Sequence, residues 1–176
     1  GLVKKAARNE FIHKVLDQPL SSLNPRPAVC VRPSVTLAEA IRLMNEIKAG
    51  CILVENSQGK LAGIVTERDI MTHLPDKWNK LDVLVVSELM TEHVEALRYD
   101  NSLNQALHQM SVKRFRHIVV YNAEGDPEVL STRDLFKYLS PYLKISKATK
   151  KTSTKISSPK KQVKKVIKKT VKKKKK

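Results

Sequence analysis

The chain has little cysteine and no long apolar run, and both absences limit the class of protein to which it can belong. None of the apolar stretches in its 176 residues approaches the roughly 18–20 residues that a membrane-spanning helix needs. The first residues, GLVKKAARNEF, lack the apolar core of a signal peptide. Cys30 and Cys51 lie in apolar, strand-like runs, so we expect buried free thiols in a reducing compartment. The predicted location is the cytoplasm, with the nucleoid or nucleus as alternatives.

One end of the chain has no acidic residue, no arginine and no aromatic side chain after Tyr142. Residues 144–176 contain 16 Lys, whereas residues 1–143 carry 18 basic and 17 acidic residues, so the tail carries almost all of the net charge of +17. Such a composition buries too little apolar surface to offset the entropy of ordering, and we predict a disordered Lys-rich tail.

A polycation of this kind attracts nucleic-acid phosphates, anionic lipid surfaces and acidic proteins. We favour non-specific nucleic-acid binding, and a tail that only aids solubility is the simpler alternative. The candidate phosphate contacts in the tail are Lys160, Lys161, Lys164, Lys165, Lys168 and Lys169.

The rest of the sequence is written twice. TLAEAIRLM at 36–44 aligns with SLNQALHQM at 102–110, and CILVENSQG at 51–59 aligns with HIVVYNAEG at 117–125. Each copy then ends in a similar tetrad, TERD at 66–69 or STRD at 131–134, and the second copy has lost one residue before its tetrad. Repeated units usually pair face to face, and clefts between paired units commonly bind small ligands.

Each copy predicts the order strand, helix, strand, turn, strand, helix. The first helix of each copy begins with a capping box, Thr36 with Glu39 or Ser102 with Gln105, followed by apolar residues at helical spacing. We expect Gly50 to end the helix that Thr36 begins, and the helix that Thr66 begins to stop before Pro75.

Two tandem units of this order, each ending in [ST]-x-x-D, resemble a pair of cystathionine-β-synthase (CBS) domains, which together form a Bateman module. The Ser-Pro-Lys-Lys at 158–161 resembles units of linker-histone tails. The resemblance implies an α/β (α+β) fold in which each unit is a small three-stranded sheet with two helices. The predicted divisions are an N-terminal helical segment at 1–19, unit 1 at 20–75, a linker at 76–86, unit 2 at 87–143 and the tail at 144–176.

The same resemblance implies a homodimeric, non-enzymatic regulatory module that binds AMP, ADP, ATP or S-adenosylmethionine between its paired units. By position, Asp69 and Asp134 would accept ribose hydroxyls, and Thr66 and Ser131 would meet phosphate. Free N–H groups at a helix N-terminus attract phosphate, which makes this chemistry reasonable on its own. The charged candidates for the phosphate are Arg68, Arg133, Arg114, Arg116 and His117.

Helix capping alone would also explain both tetrads, because their spacing is that of a capping box. We favour the site of Thr66 and Asp69, since the second copy lacks the expected glycine and carries Glu128 near the phosphate path. No nucleophile–base set or metal cluster is visible, so we predict no enzyme and no metal. The alternative function is an architectural nucleic-acid-binding protein whose CBS pair serves only dimerisation.

Overall fold

The computed structural model describes residues 2–142, with side chains from residue 9 onward. This part of the chain contains five α-helices and eight β-strands. The helices are α1 (Leu2–Leu16), α2 (Leu37–Ile47), α3 (Glu67–Lys77), α4 (Leu103–Lys113) and α5 (Thr132–Leu139). The strands are β1 (Arg26–Pro27), β2 (Cys30–Val31), β3 (Cys51–Glu55), β4 (Leu61–Thr66), β5 (Thr91–Glu92), β6 (Ala96–Arg98), β7 (His117–Tyr121) and β8 (Pro127–Ser131). The predicted α/β class is confirmed. The predicted tail lies outside the described residues.

Each copy forms a sheet, and each sheet takes one strand from the other half of the chain. The strand orders are β2-β3-β4-β5 and β1-β8-β7-β6. β5 precedes the second copy but pairs antiparallel with β4 of the first, and β1 precedes the first copy but pairs antiparallel with β8 of the second. The prediction of three strands per sheet was therefore wrong by one, because strands of two residues carry no alternation that a sequence pattern can show.

Two apolar cores hold the sheets against their helices. Ile52, Val54 and Val65 pack with Leu37 and Ala40 of α2 in the first core. The second core has the same composition of buried strand and helix residues: Ile118, Val120, Leu130, Leu103 and Ala106.

The second core also contains Leu20 and Leu23, which the sequence divisions assign to unit 1. The backbone explains their position, because the N–H of Leu20 donates to the carbonyl of Asn101 at 2.9 Å. The segment before β1 therefore packs on the second half of the molecule and not on the first.

Four helices begin as their sequences predict, while two predictions about helix ends were wrong. α2, α3, α4 and α5 each begin with a complete capping box. α2 ends on Lys48 in the left-handed conformation (φ 56°), so Gly50 is not its cap. α3 continues through Pro75 to Lys77, although a proline beyond the first turn removes an N–H donor and crowds the carbonyl four residues before it.

None of the helices among residues 2–142 is long and apolar enough to cross a membrane.

Candidate ligand-binding cleft

A cleft of about 480 Å³ opens beside the N-terminus of α3. Its walls come from β4 and α3 of the first copy, from the segment around β5, and from the chain that enters β7 of the second copy. It brings together the predicted site residues Thr66, Arg68, Asp69, Arg116 and His117, and also Arg114. The other lining residues are Gly50, Ile64, Glu67, Met71, Thr91, His93, Val94, Glu95, Phe115 and Val119.

Thr66 and Asp69 cap α3 and face the cleft at the same time. Oδ2 of Asp69 accepts hydrogen bonds from the backbone N–H of Thr66 at 2.8 Å and from its hydroxyl at 2.7 Å. The hydroxyl oxygen of Thr66 in turn accepts from the N–H of Asp69 at 3.3 Å. No described residue donates to the second carboxylate oxygen of Asp69, Oδ1. Capping therefore leaves an acceptor in the cleft that a ligand hydroxyl can use.

The cleft carries arginines that are not neutralised by ion pairs. Arg68, Arg114 and Arg116 are exposed, and none of them makes a salt bridge with the part of the chain that the structure describes. Glu95, by contrast, pairs with Lys113. Unpaired guanidinium groups near a helix N-terminus favour an anionic group on the ligand.

His117 lies deeper than the arginines. Burial lowers the pKa of its imidazole below the ordinary value, against the opposing negative charge of Glu67. Its Nδ1 is buried without a partner among the described residues. Its other nitrogen, Nε2, sits where a side chain on Gly50 would collide, since an ideal Cβ there would be 2.8 Å away. The function of Gly50 is thus to make room for His117.

The second tetrad is arranged differently and does not line this cleft. Oδ2 of Asp134 accepts from the N–H and hydroxyl of Ser131 at 2.7 and 2.6 Å, as in the first copy. In addition, the guanidinium of Arg26 lies 3.5 Å from the same oxygen. Desolvation alone would raise the pKa of Asp134, but the hydrogen bonds from Ser131 and the charge of Arg26 together lower it. Arg133 is exposed on α5 and is not a lining residue of the cleft.

The expectation that Glu128 lies near a phosphate path was wrong. Its side chain is buried, accepts a hydrogen bond from the hydroxyl of Tyr99 at 2.5 Å and lies 3.4 Å from Nδ2 of Asn122. Because side chains alternate along a strand, Glu128 points away from the face that carries Val129 and Ser131. Glu128 therefore stabilises the interior of the second half.

Several lining residues and the ion pair of Arg26 with Asp134 were not predicted from the sequence. Thr91, His93 and Val94 lie in the lead-in to the second copy, VSELMTEHVEAL at 86–97, outside the two tetrads. Only the pairing of β5 with β4 brings them beside α3.

The two thiols and the other side chains that can bind metals do not form a metal centre among the described residues. No group of three His, Cys, Asp or Glu side chains there is arranged to hold a metal ion. Cys51 is buried and Cys30 is partly buried, and burial is the main reason that the pKa of each thiol rises to about 12. Thiols of such high pKa are poor nucleophiles.

The chain matches the CBS domain family twice, over residues 20–76 and 86–141, and it belongs to that family as a tandem pair. It is 34% identical over 110 residues to an uncharacterized 17.7 kDa protein in the bps2 3′ region of Acidianus ambivalens, covering 62% of this chain and 65% of that protein. It is also 34% identical over 112 residues to the CBS domain-containing protein CBSCBSPB5 of Arabidopsis thaliana, covering 64% of this chain but only 20% of that protein. The chain thus spans less than two thirds of either relative.

Solved structures share the fold. The CBS domain of a CBS domain-containing membrane protein from Sphaerobacter thermophilus superposes with a TM-score of 0.65 at 24% identity, over 79% of this chain and 98% of that one. The structure of CBSX2 in complex with AMP superposes with a TM-score of 0.58 at 22% identity, over 71% of this chain and 98% of that one. The CBS domain pair of MJ0100 in complex with 5′-methylthioadenosine and S-adenosyl-L-methionine superposes with a TM-score of 0.59 at 17% identity, over 68% of this chain and 98% of that one.

Proposed function

We propose that this CBS pair is a regulatory module that binds an adenine nucleotide or adenosyl compound in the cleft of Thr66 and Asp69. One observation carries the proposal: the capping carboxylate of Asp69 receives no donor on Oδ1 from the described residues, and Asp69 lines a cleft large enough for a small ligand. The AMP in CBSX2 and the adenosyl ligands in MJ0100 support this class of ligand, since both proteins share the fold.

The cleft offers separate surfaces for each part of such a ligand. Asp69 would accept the ribose hydroxyls, and Thr66 with the backbone N–H of Arg68 would face the phosphate. The N–H groups of Glu67 and Asp69 already donate within the protein, to the carbonyl of Gly50 and the hydroxyl of Thr66. Arg68 and Arg116 would add positive charge, and His117 would form part of the deeper wall. Apolar side chains on the cleft surface would contact the base: Ile64, Val94 and Phe115.

We infer a binding role and no catalytic one. The cleft lacks a nucleophile held by a base: Thr66 and Asp69 are engaged in capping, and neither cysteine is a lining residue. A turnover assay with ATP, ADP and AMP tests this inference, and hydrolysis above background by the purified chain would contradict it.

The ribose role of Asp69 gives the first prediction. Replacing Asp69 by Asn keeps an acceptor for the N–H of Thr66 but removes the charge that binds hydroxyl groups. Hydrogen bonds to charged groups contribute about 1.5–3 kcal/mol, so the affinity for AMP should fall roughly 10- to 150-fold in calorimetry. The matched control is Asp134→Asn, the same change in the other capping box, and it should leave the affinity within about twofold.

Two results of these titrations would contradict the proposed ligand class or the assigned cleft. If AMP, ADP, ATP and S-adenosylmethionine at millimolar concentration all fail to release heat or raise the melting temperature, the proposed ligand class is wrong. If Asp134→Asn weakens binding and Asp69→Asn does not, the cleft is assigned to the wrong copy.

We further infer that the module forms a homodimer through α3 and α5. Met71 and Phe136 occupy equivalent positions, two residues after the capping carboxylate of each copy, and their exposed fractions are 64% and 70%. Large apolar side chains this exposed at two repeat-related positions favour an interface with a second chain. The mass in solution, measured by light scattering, tests this inference.

The concentration of positive charge in residues 144–176 favours a second activity. We infer that the Lys-rich tail binds nucleic acid without sequence preference and directs the module to the nucleoid or nucleus, because residues 144–176 hold 16 Lys without any acidic residue. A chain in which the CBS pair only dimerises and the tail binds nucleic acid is the alternative function. It is distinguished by the AMP titration, to which such a chain would not respond.

A further inference from the structure

Arg26 holds, in the second sheet, the position that Thr91 holds in the first. Thr91 pairs with Ile64, two residues before the N-cap of α3, and it lines the cleft. Arg26 pairs with Val129, two residues before the N-cap of α5. The internal repeat therefore places the Arg26 side chain beside the second capping box, where a short hydroxyl side chain stands in the first.

The contacts of the two capping carboxylates differ accordingly. The side chain of Asp69 receives hydrogen bonds only from Thr66 within the described residues, and Asp69 lines the cleft. Asp134 receives the same bonds from Ser131 and has, in addition, the guanidinium of Arg26 at 3.5 Å. The carboxylate that would bind a ribose in the second copy thus already has a cationic partner from its own chain.

The backbone holds Arg26 in place. Pro25 has a fixed φ, and a residue before proline is restricted to extended conformations, so Pro27 keeps Arg26 in a strand geometry. The N–H of Ala28 donates to the carbonyl of Pro127 at 3.1 Å and ties this segment to β8. Little further backbone ordering is needed to bring the guanidinium to Asp134.

We propose that Arg26 is an internal occupant of the second ligand position and limits each chain to one adenosyl ligand. This inference rests on the proposed function and specifies its stoichiometry. Although an exposed ion pair is individually weak, a ligand at the second position must displace the guanidinium as well as bind Asp134. The cleft of Asp69 carries no such competitor.

Calorimetric titration of the full chain with AMP tests the proposal through the number of sites. The unaltered chain should bind one AMP and the Asp69→Asn variant should bind none at the same concentrations. The Arg26→Ala variant should bind two, and the double variant Arg26→Ala with Asp69→Asn should bind one, at the second position alone. Arg98→Ala is the matched control, because Arg98 also makes an exposed pair, with Asp100 at 3.6 Å, and it should keep one site.

Other results would overturn the proposal. Two sites in the unaltered chain, or one site in Arg26→Ala, would show that Arg26 does not limit occupancy. Weaker AMP binding in Arg26→Ala would make Arg26 a phosphate ligand and not a competitor. Failure of every variant to bind AMP would overturn this inference together with the proposed function, whereas one site in all variants with intact Asp69 would overturn this inference only.

A folding defect is separated from a binding effect by a second substitution. Arg26→Gln keeps the length and polarity of the side chain and removes only its charge. It should melt within a few degrees of the unaltered chain and should also bind two AMP molecules. If Arg26→Gln folds and binds one, the proposal is wrong.

Discussion

His117 links the cleft to pH through its burial. The folded protein lowers the pKa of this imidazole below its ordinary value of 6.5, so the unfolded chain binds the proton more readily. The stability that comes from keeping His117 neutral is complete above about pH 6.5 and is lost as the pH falls toward the folded pKa. The melting temperature should therefore decrease between about pH 7 and pH 5, and His117→Gln should flatten that decrease.

The charged groups around His117 determine how sharp this effect is. Glu67 and Asp134 favour the imidazolium, whereas Arg26 and Arg116 oppose it. The matched control is His108→Gln, the same substitution at an exposed position on α4 outside the cleft. Parallel profiles for His117→Gln and the unaltered chain would show that burial of this imidazole does not control the acid side of the stability curve.

Single residues also show what a sequence can predict about a site. Thr66 and Asp69 were identified because an N-cap and its partner three residues later form a local pattern. Arg26 was not identified, because it is far from Asp134 in the sequence and only the pairing of β1 with β8 brings the two together. No local spacing in the sequence predicts such a contact. His117 was listed as a charged candidate, but the space that Gly50 leaves for it depends on the contact between the two copies.

The exposed faces of α3 and α5 give the prediction for the dimer. Met71 and Phe136 should lie at the centre of the interface between two chains, where the few dominant side chains contribute about 2 kcal/mol or more each. The combined substitution Met71→Glu and Phe136→Glu should convert dimers to single chains in light scattering at micromolar concentration. The control Val83→Glu changes a residue that is 77% exposed outside these helices, and it should leave the mass unchanged.

Either of two results would contradict this assignment of the interface. A single-chain mass for the unaltered protein would remove the dimer itself. A dimer that persists in Met71→Glu with Phe136→Glu would move the interface to another surface.

Helices and strands differed in how well the sequence predicted them. α2 and α4 have both an apolar face and a capping box, and their starts were predicted correctly. The short strands β1 and β5 are held by backbone pairing with the opposite half, and that pairing is tertiary. The repeat predicts a cleft between the two units. The wall around β5 was not predictable, because it depends on the pairing of β5 with β4.

The whole chain combines a nearly neutral CBS pair with a strongly cationic tail at residues 144–176. Lysine neutralises phosphates without reading bases, so binding to duplex DNA should be insensitive to sequence and very sensitive to salt. If about 6–10 phosphates are contacted, affinity should fall roughly 10³- to 10⁵-fold between 50 and 200 mM salt.

A matched variant isolates this contribution within the full chain. Replacing Lys160, Lys161, Lys164, Lys165, Lys168 and Lys169 by Gln should reduce the slope of log affinity against log salt by about five, because each contacted phosphate contributes about 0.9. Asp69→Asn, which changes the cleft alone, should leave the slope unchanged. Equal DNA affinity for the six-fold variant and the unaltered chain in a gel-shift titration would show that these lysines do not contact nucleic acid. The tail would then serve solubility, and the function of the molecule would lie entirely in the CBS pair.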